Sequence, residues 1–240
     1  MNKPLLLIFL LTLAIATPAA RADDDQTCFA GKTKQLEASV NACTAILGRP
    51  LLTPEWKLRA LKARGHYHAL EHQFDLALQD FTAAVATDPS DKMARIAKAG
   101  LYAIMGKFRE AQKDTDVLLK MFPDDPDILN NSCWLHAALW ELNAALADCN
   151  KSLALAPRAP DTLDSMGFVH LRLKNYKQAL ADYNAALAVE PNHATSLYVR
   201  GVVKRRMGDT AGGDADIKAA GKIDPEIAES FAPYGLTEGN

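Results

Sequence analysis

Small and large apolar residues alternate along this chain in a pattern that repeats every 34 residues. Proline marks the period, at Pro89, Pro123, Pro157, Pro191 and Pro225. Placing each proline at slot thirty-two defines five units, 58–91, 92–125, 126–159, 160–193 and 194–227, with no insertion between them. Slot four holds Leu61, Arg95, Leu129, Leu163 and Leu197, and slot eight holds Gly65, Ala99, Cys133, Gly167 and Gly201. Slot seventeen holds Phe74, Phe108, Leu142, Tyr176 and Thr210, and slot twenty holds Ala77, Ala111, Ala145, Ala179 and Gly213. Slot twenty-four holds Phe81, Thr115, Cys149, Tyr183 and Ile217. A 34-residue period of this kind predicts stacked helix–turn–helix units and an all-α fold.

Each column has a physical reason. A small residue at slot eight lets a second helix approach the first, a larger group at slot twenty-four fills the space opposite, and the small residue at slot twenty acts from the second helix. The proline ends the second helix, because it cannot continue one and biases its predecessor away from helical angles. Asp88, Asp125 and Asp224 lie at these boundaries, where an acidic side chain caps or favours a helix start.

With these columns in place, the stretches RGHYHALEHQFDLALQDFTAAVATDP and MGFVHLRLKNYKQALADYNAALAVEP resemble the tetratricopeptide repeat family, over residues 58–227. Slot eleven departs from the family's tyrosine, reading His68, Tyr102, His136, His170 and Lys204, and Arg95 breaks the large apolar slot four. The resemblance implies an all-α, right-handed superhelical solenoid with N- and C-terminal capping helices. It implies a groove lined by the first helices, at Lys62, His66, Ile96, Asn130, Asn131, Trp134, Asp164, Phe168, Tyr198, Val202 and Arg205. Aromatic anchors among hydrogen-bonding groups suit an extended peptide or a partner helix, provided the rings of Trp134, Phe168 and Tyr198 are exposed. Some family members grip the acidic tail of heat-shock chaperones; Lys62 fits that pattern, whereas His66, Ala97, Asp127 and Asn131 do not.

The ends differ from the units. Lys3, an apolar run over 5–16 and the A-x-A site Ala20-Arg21-Ala22 predict an export signal over 1–22, with the mature chain starting at Asp23. The run is too short for the roughly 20 residues that span a bilayer. Residues 23–57 read as a capping helix of a degenerate unit. Leu36, Val40, Cys43 and Leu47 form one stripe of a helix over 32–47, Gly48 stops it, and Thr53-Pro54-Glu55 opens the next. Residues 228–240 close the stack: a short helix from Pro225 to Tyr234 stops at Pro233 and Gly235, and the last four residues fray.

Charge and chemistry narrow the function. The chain has 27 basic and 29 acidic residues, and losing Lys3 and Arg21 leaves 25 against 29, which argues against nucleic-acid binding. Arg200, Lys204, Arg205 and Arg206 read as a solvated face, with a small anion-binding patch as the rival. Export makes four cysteines a disulfide framework: Cys133 and Cys149 occupy facing slots of one unit, and Cys28 and Cys43 share the N-terminal cap. No C-x-x-C, nucleophile elbow, phosphate loop, H-E-x-x-H or EF-hand is present, so no catalytic residue, cofactor or metal is expected. The slot-eleven histidines read as packing substitutes for tyrosine. The expected function is a periplasmic or secreted protein–protein interaction scaffold of the cell envelope. The alternatives are a cell-wall glycan- or ligand-binding protein using Trp134 and Phe168, or a regulatory subunit of an envelope enzyme.

Overall fold

The structure, a computed structural model, describes residues 18–31 and 35–236. Among them every regular element is helical. The chain divides into two compact parts, 1–90 and 91–240.

The first part holds α1 (Pro18–Phe29), α2 (Leu36–Leu47), α3 (Pro54–Leu70) and α4 (Phe74–Thr87). The apolar run of the expected leader lies outside the described residues, and the expected cleavage site falls in the first turns of α1. A helix, α1, therefore stands where the sequence predicts none, and it pairs with α2. Cys28 bonds to Cys43 across this pair, both completely buried. Tyr67 of α3 donates to the Cys28 carbonyl at 2.8 Å. Arg49 reaches Asp25 at 2.6 Å and Asp24 at 3.4 Å, so the acidic run is tied down. Thr53 caps α3 by accepting from the Trp56 amide, with Pro54 in the first turn.

The second part stacks α5 (Lys92–Ile104), α6 (Phe108–Met121), α7 (Pro126–Ala138), α8 (Leu142–Leu155), α9 (Pro160–Arg172), α10 (Tyr176–Val189), α11 (Ala194–Arg206) and α12 (Thr210–Ile223). The short α13 (Ile227–Phe231) and a 3-10 turn, Ala232–Tyr234, follow. Each unit is thus one helical hairpin. Its first helix ends at slot fifteen in a left-handed residue: His72, Gly106, Trp140, Lys174 and Gly208 all have positive φ. The next amide bonds back to the slot-eleven carbonyl, as in Gln73 to His68 and Asn175 to His170, which satisfies the helix end. The second helix ends one residue before each proline's predecessor, as in Thr87, Asp88, Pro89. Asp125 caps α7 through the amides of Asp127 and Ile128. Asp88 and Asp224 instead hold their turns, accepting from the amides of Ser90 and Glu226.

Packing across each hairpin follows slots eight and twenty-four. A Cβ added to Gly65 would lie 3.1 Å from the Phe81 ring, and one on Gly167 would lie 2.8 Å from the Tyr183 ring. Gly201 faces Ile217 and the Gly213 carbonyl, both at 2.7 Å. In the third unit a Cys133–Cys149 bond occupies the same place. Tyr183 has no solvent exposure and cannot swing away. Gly167→Leu is therefore expected to cost about 2–3 kcal/mol, read as a lower urea midpoint; an unchanged midpoint would contradict the packing.

A polar ladder runs beside this seam. Slot twenty-three is aspartate in all five units: Asp80, Asp114, Asp148, Asp182 and Asp216. Each finds donors on the first helix of its own hairpin. Arg64 and His68 face Asp80; Arg95 and Lys98 face Asp114. Ser132 and His136 face Asp148, His170 lies 2.6 Å from Asp182, and Arg200 and Lys204 face Asp216. The slot-eleven histidines thus serve as polar partners of these carboxylates, which corrects their reading as substitutes for a packed ring. Burial works to raise the Asp216 carboxyl, but the bonds from Arg200 and Lys204 outweigh it and hold its pKa below the usual range. Asp182 has only His170, and burial leaves its pKa raised.

Candidate functional site

The first helices of the second part, α5, α7, α9 and α11, present slots two, five, nine and twelve on one face. At its C-terminal end this face is covered by the chain itself. Phe231 stacks on Tyr198 at 5.4 Å, and the Tyr198 hydroxyl donates to the Leu236 carbonyl at 3.0 Å. Tyr234 meets Phe168 edge-on at 6.0 Å, Trp134 at 5.7 Å and Phe108 at 5.9 Å. Phe168, Tyr198 and Val202 are buried as a result. Their expected exposure does not hold, because α13 and the turn after it lie over these slots and bury their own rings there. The Trp134–Phe168 platform expected for a glycan is closed by Tyr234 for the same reason. Arg172 adds to this cover, its guanidinium 4.2 Å from the Trp140 ring and 4.9 Å from the Phe168 ring.

Beyond Trp134 the face opens into a cavity of about 500 Å³. Small residues make the room. At slot nine, where Trp134 and Phe168 stand in later units, α5 carries Gly100, and at slot twelve it carries Ala103. Ile96, Leu118, Trp134 and Leu135 supply apolar wall. The opposite wall is polar: Asn130 and Asn131 of α7, Asp161, Asp164 and Ser165 of α9, and His193 and Thr195 at the start of α11.

The polar wall is internally ordered. His193 caps α11 through Nδ1, which accepts from the Ser196 amide at 3.3 Å, and its Nε2 faces Asp161 at 3.1 Å. Ser196 donates its hydroxyl to Asp164 at 2.5 Å. Only 15% of the Asp164 side chain is exposed. Burial pushes its pKa up to about 6, against the Ser196 bond and the attraction of His193, with Asp161 adding to the rise. The bond with Asp161 raises the His193 pKa, against its burial, while Asp161 itself is lowered by that bond. The cap at Nδ1 favours the neutral ring; the carboxylates on both sides favour the charged one. Asn130 carries a buried Oδ1 with no hydrogen-bond partner.

Of the residues expected to line a groove, Ile96, Asn130, Asn131, Trp134 and Asp164 come together in this cavity. Lys62 and the exposed His66 lie on α3 in the first part. Arg205 turns to α12 and bonds Asp214 at 2.6 Å. Arg200 and Lys204 serve Asp216, and Arg206 reaches the Gly235 carbonyl at 3.5 Å, so the cluster of α11 is largely engaged within the fold. Asp161 and Thr195 stand at slot two, on the face that the repeat register assigns to the groove, whereas His193 and Ser165 are polar wall residues that the register does not point to. The signal for His193 is local: a histidine just before a helix start, two residues after Pro191, facing Asp161 in the first turn of α9. Among the described residues no group of three His, Cys, Asp or Glu is placed to hold a metal ion, and no helix is long and apolar enough to cross a membrane.

The family model for the tetratricopeptide repeat matches residues 160–193, the unit of α9 and α10. No curated protein sequence matches the chain. Among solved structures, a tetratricopeptide repeat protein from Parabacteroides merdae is similar with a TM-score of 0.70 at 18% identity, over 92% of this chain and 94% of that one. A thermophilic TPR protein of Thermus thermophilus gives 0.64 at 20% identity, over 76% of this chain and 97% of that one. A chain of the APC/C hetero-tetramer Cut9–Hcn1 gives 0.70 at 17% identity, over 92% of this chain but 45% of that one. At these identities the likeness is one of fold.

Proposed function

We propose that the chain, whose fold is that of tetratricopeptide repeat solenoids, serves protein–protein interaction and holds an extended segment of a partner protein in the cavity between α5, α7 and α9. The observation that carries this reading is the cavity itself. It is long enough in volume for several side chains, has an apolar wall beside a polar one, and sits on the first helices beside a face already covered by the chain's own α13. The fold family is generally non-catalytic, and the site's groups suit binding. In the same reading the protein acts in the cell envelope: an N-terminal leader pattern and two disulfides support export into an oxidising compartment.

Gly100 offers a direct test. A Cβ there meets nothing within 4 Å, and the residue lines the cavity, so Gly100→Trp fills the space without disturbing the core. A photo-crosslinking phenylalanine analogue at Asn131, carried in the producing cells, is expected to give a discrete protein adduct that Gly100→Trp removes while the melting temperature is kept. The same analogue at exposed Lys113 on α6 is the control. Equal adducts at both positions, or none at Asn131, would reject the groove reading.

A further inference from the structure

We infer that the cavity selects a cationic side chain, lysine or arginine, on the segment it binds, with Asp164, Asp161 and the free Asn130 oxygen as its receptors. This rests on the groove reading above and specifies its ligand chemistry.

Three observations converge. First, the titratable residues lining the cavity are Asp161, Asp164 and His193, and no lysine or arginine is among them. Even with His193 charged, the wall carries one net negative charge, and with it neutral, two. Second, the polar wall holds an unmet acceptor. The Asn130 oxygen is buried with no partner, which is costly unless a donor arrives from outside the fold. Asp164 takes a short bond from Ser196 and a further one from Thr195, and its two oxygens keep acceptor capacity beyond these. A carboxylate kept largely out of water with two hydroxyls, Ser196 and Thr195, and a shared imidazole beside it, but no lysine or arginine, is an incomplete ion pair. Third, the geometry suits the stem as well as the head. Ile96, Gly100, Ala103 and Trp134 line the approach, and a lysine or arginine lays its methylenes on such a surface while its charged end reaches polar groups. The indole ring of Trp134 adds a face for a guanidinium or ammonium. A carboxylate or phosphate would meet a wall of net negative charge, and a purely apolar side chain would leave the Asn130 oxygen unmet.

The test uses the full chain and a fluorescent positional-scanning library of acetylated, amidated octapeptides with one fixed central residue. Pools fixed as lysine or arginine are expected to bind about tenfold more tightly than pools fixed as norleucine or citrulline, which match the stems without the charge. Asp164→Asn and Asn130→Ala are each expected to bring the cationic pools down to the level of the neutral ones. Binding that Gly100→Trp abolishes but that shows no cation preference, or a preference that both variants leave intact, would overturn the inference and leave the groove reading standing. Binding by no pool, or binding indifferent to Gly100→Trp, would sink the groove reading and this inference with it.

Discussion

Asp164→Asn is expected to stabilise the protein by about 3 kcal/mol at pH 8, although it removes a charged residue from an ordered hydrogen-bond set. Burial raises this carboxyl from an ordinary 3.8 to about 6, while Ser196 and His193 only partly oppose the shift. The unfolded chain releases the proton near 3.8 and the folded chain only near 6. Between those values the folded state binds more protons, so stability falls as pH rises through the window, and the loss is complete above it. A gap of about two units at about 1.4 kcal/mol each gives the stated magnitude. Asparagine keeps an acceptor for the Ser196 hydroxyl and has no charge to desolvate. Stability curves of the two proteins should meet below pH 4 and diverge toward pH 6, and any further change in the gap above it comes from the His193 titration. His193 slopes the same way: its raised pKa gives stability present at low pH that is lost as pH climbs through its folded value. Because Asp164 is one reason for that shift, the variant also flattens this second slope. Urea titrations at pH 4 and pH 8 decide the matter; a variant that gains nothing between them would show that Asp164 is solvated after all. A site that weakens its own fold in this way suits a place awaiting a cation from a ligand.

Removing the Cys133–Cys149 bond should cost a similar amount in the other direction. The bridge closes a loop with a sequence separation of 16, for which the chain-entropy estimate is about 3 kcal/mol. Cys133→Ala together with Cys149→Ala is the suitable variant, since alanine already stands at slot eight as Ala99. The second substitution leaves slot twenty-four underfilled where other units place Phe81 or Tyr183, which adds to the loss. The expected signature is a lower urea midpoint in the oxidised double variant, and a further fall on full reduction, which also opens Cys28–Cys43. A change below about 1 kcal/mol would mean that the hairpin holds without its bond. The contrast with neighbouring units explains the size of the effect: α9 and α10 are held by a ring against a glycine, α7 and α8 by a covalent link.

The hairpin stack could be read from the sequence because its determinants recur. Gly167 opposite Tyr183 and Gly65 opposite Phe81 are visible as columns once the prolines set the register, and the columns correspond to contacts. The slot-twenty-three aspartates recur just as strictly, yet a reading keyed to apolar and small residues passes over them and assigns His68, His136 and His170 to packing instead. Non-recurrent features were harder. Helix α1 is short of apolar residues and carries an acidic run in its middle, and what holds it is particular: the bond to Cys43, the Tyr67 hydroxyl on Cys28 and Arg49 beside Asp24 and Asp25. The final helix was announced by Pro225 and Gly235, but its direction was not. Phe231 and Tyr234 have no counterparts in earlier units, so no column could say that they would cover Phe168 and Tyr198. The cavity lies between these cases. Asn130, Asp164 and Trp134 were visible as face residues, whereas the space among them depends on bulk that Gly100 and Ala103 lack.

The carboxylate of every hairpin is answered inside that hairpin, Asp80 by Arg64 and His68, Asp216 by Arg200 and Lys204, and the other three likewise. This slot-twenty-three carboxylate therefore needs nothing from the next unit, while other polar links, Arg109 to Glu141, Lys151 to Asp124 and Ser196 to Asp164, do cross between units. A gene for such a chain can lengthen or shorten by whole 34-residue modules without stranding any of these five aspartates.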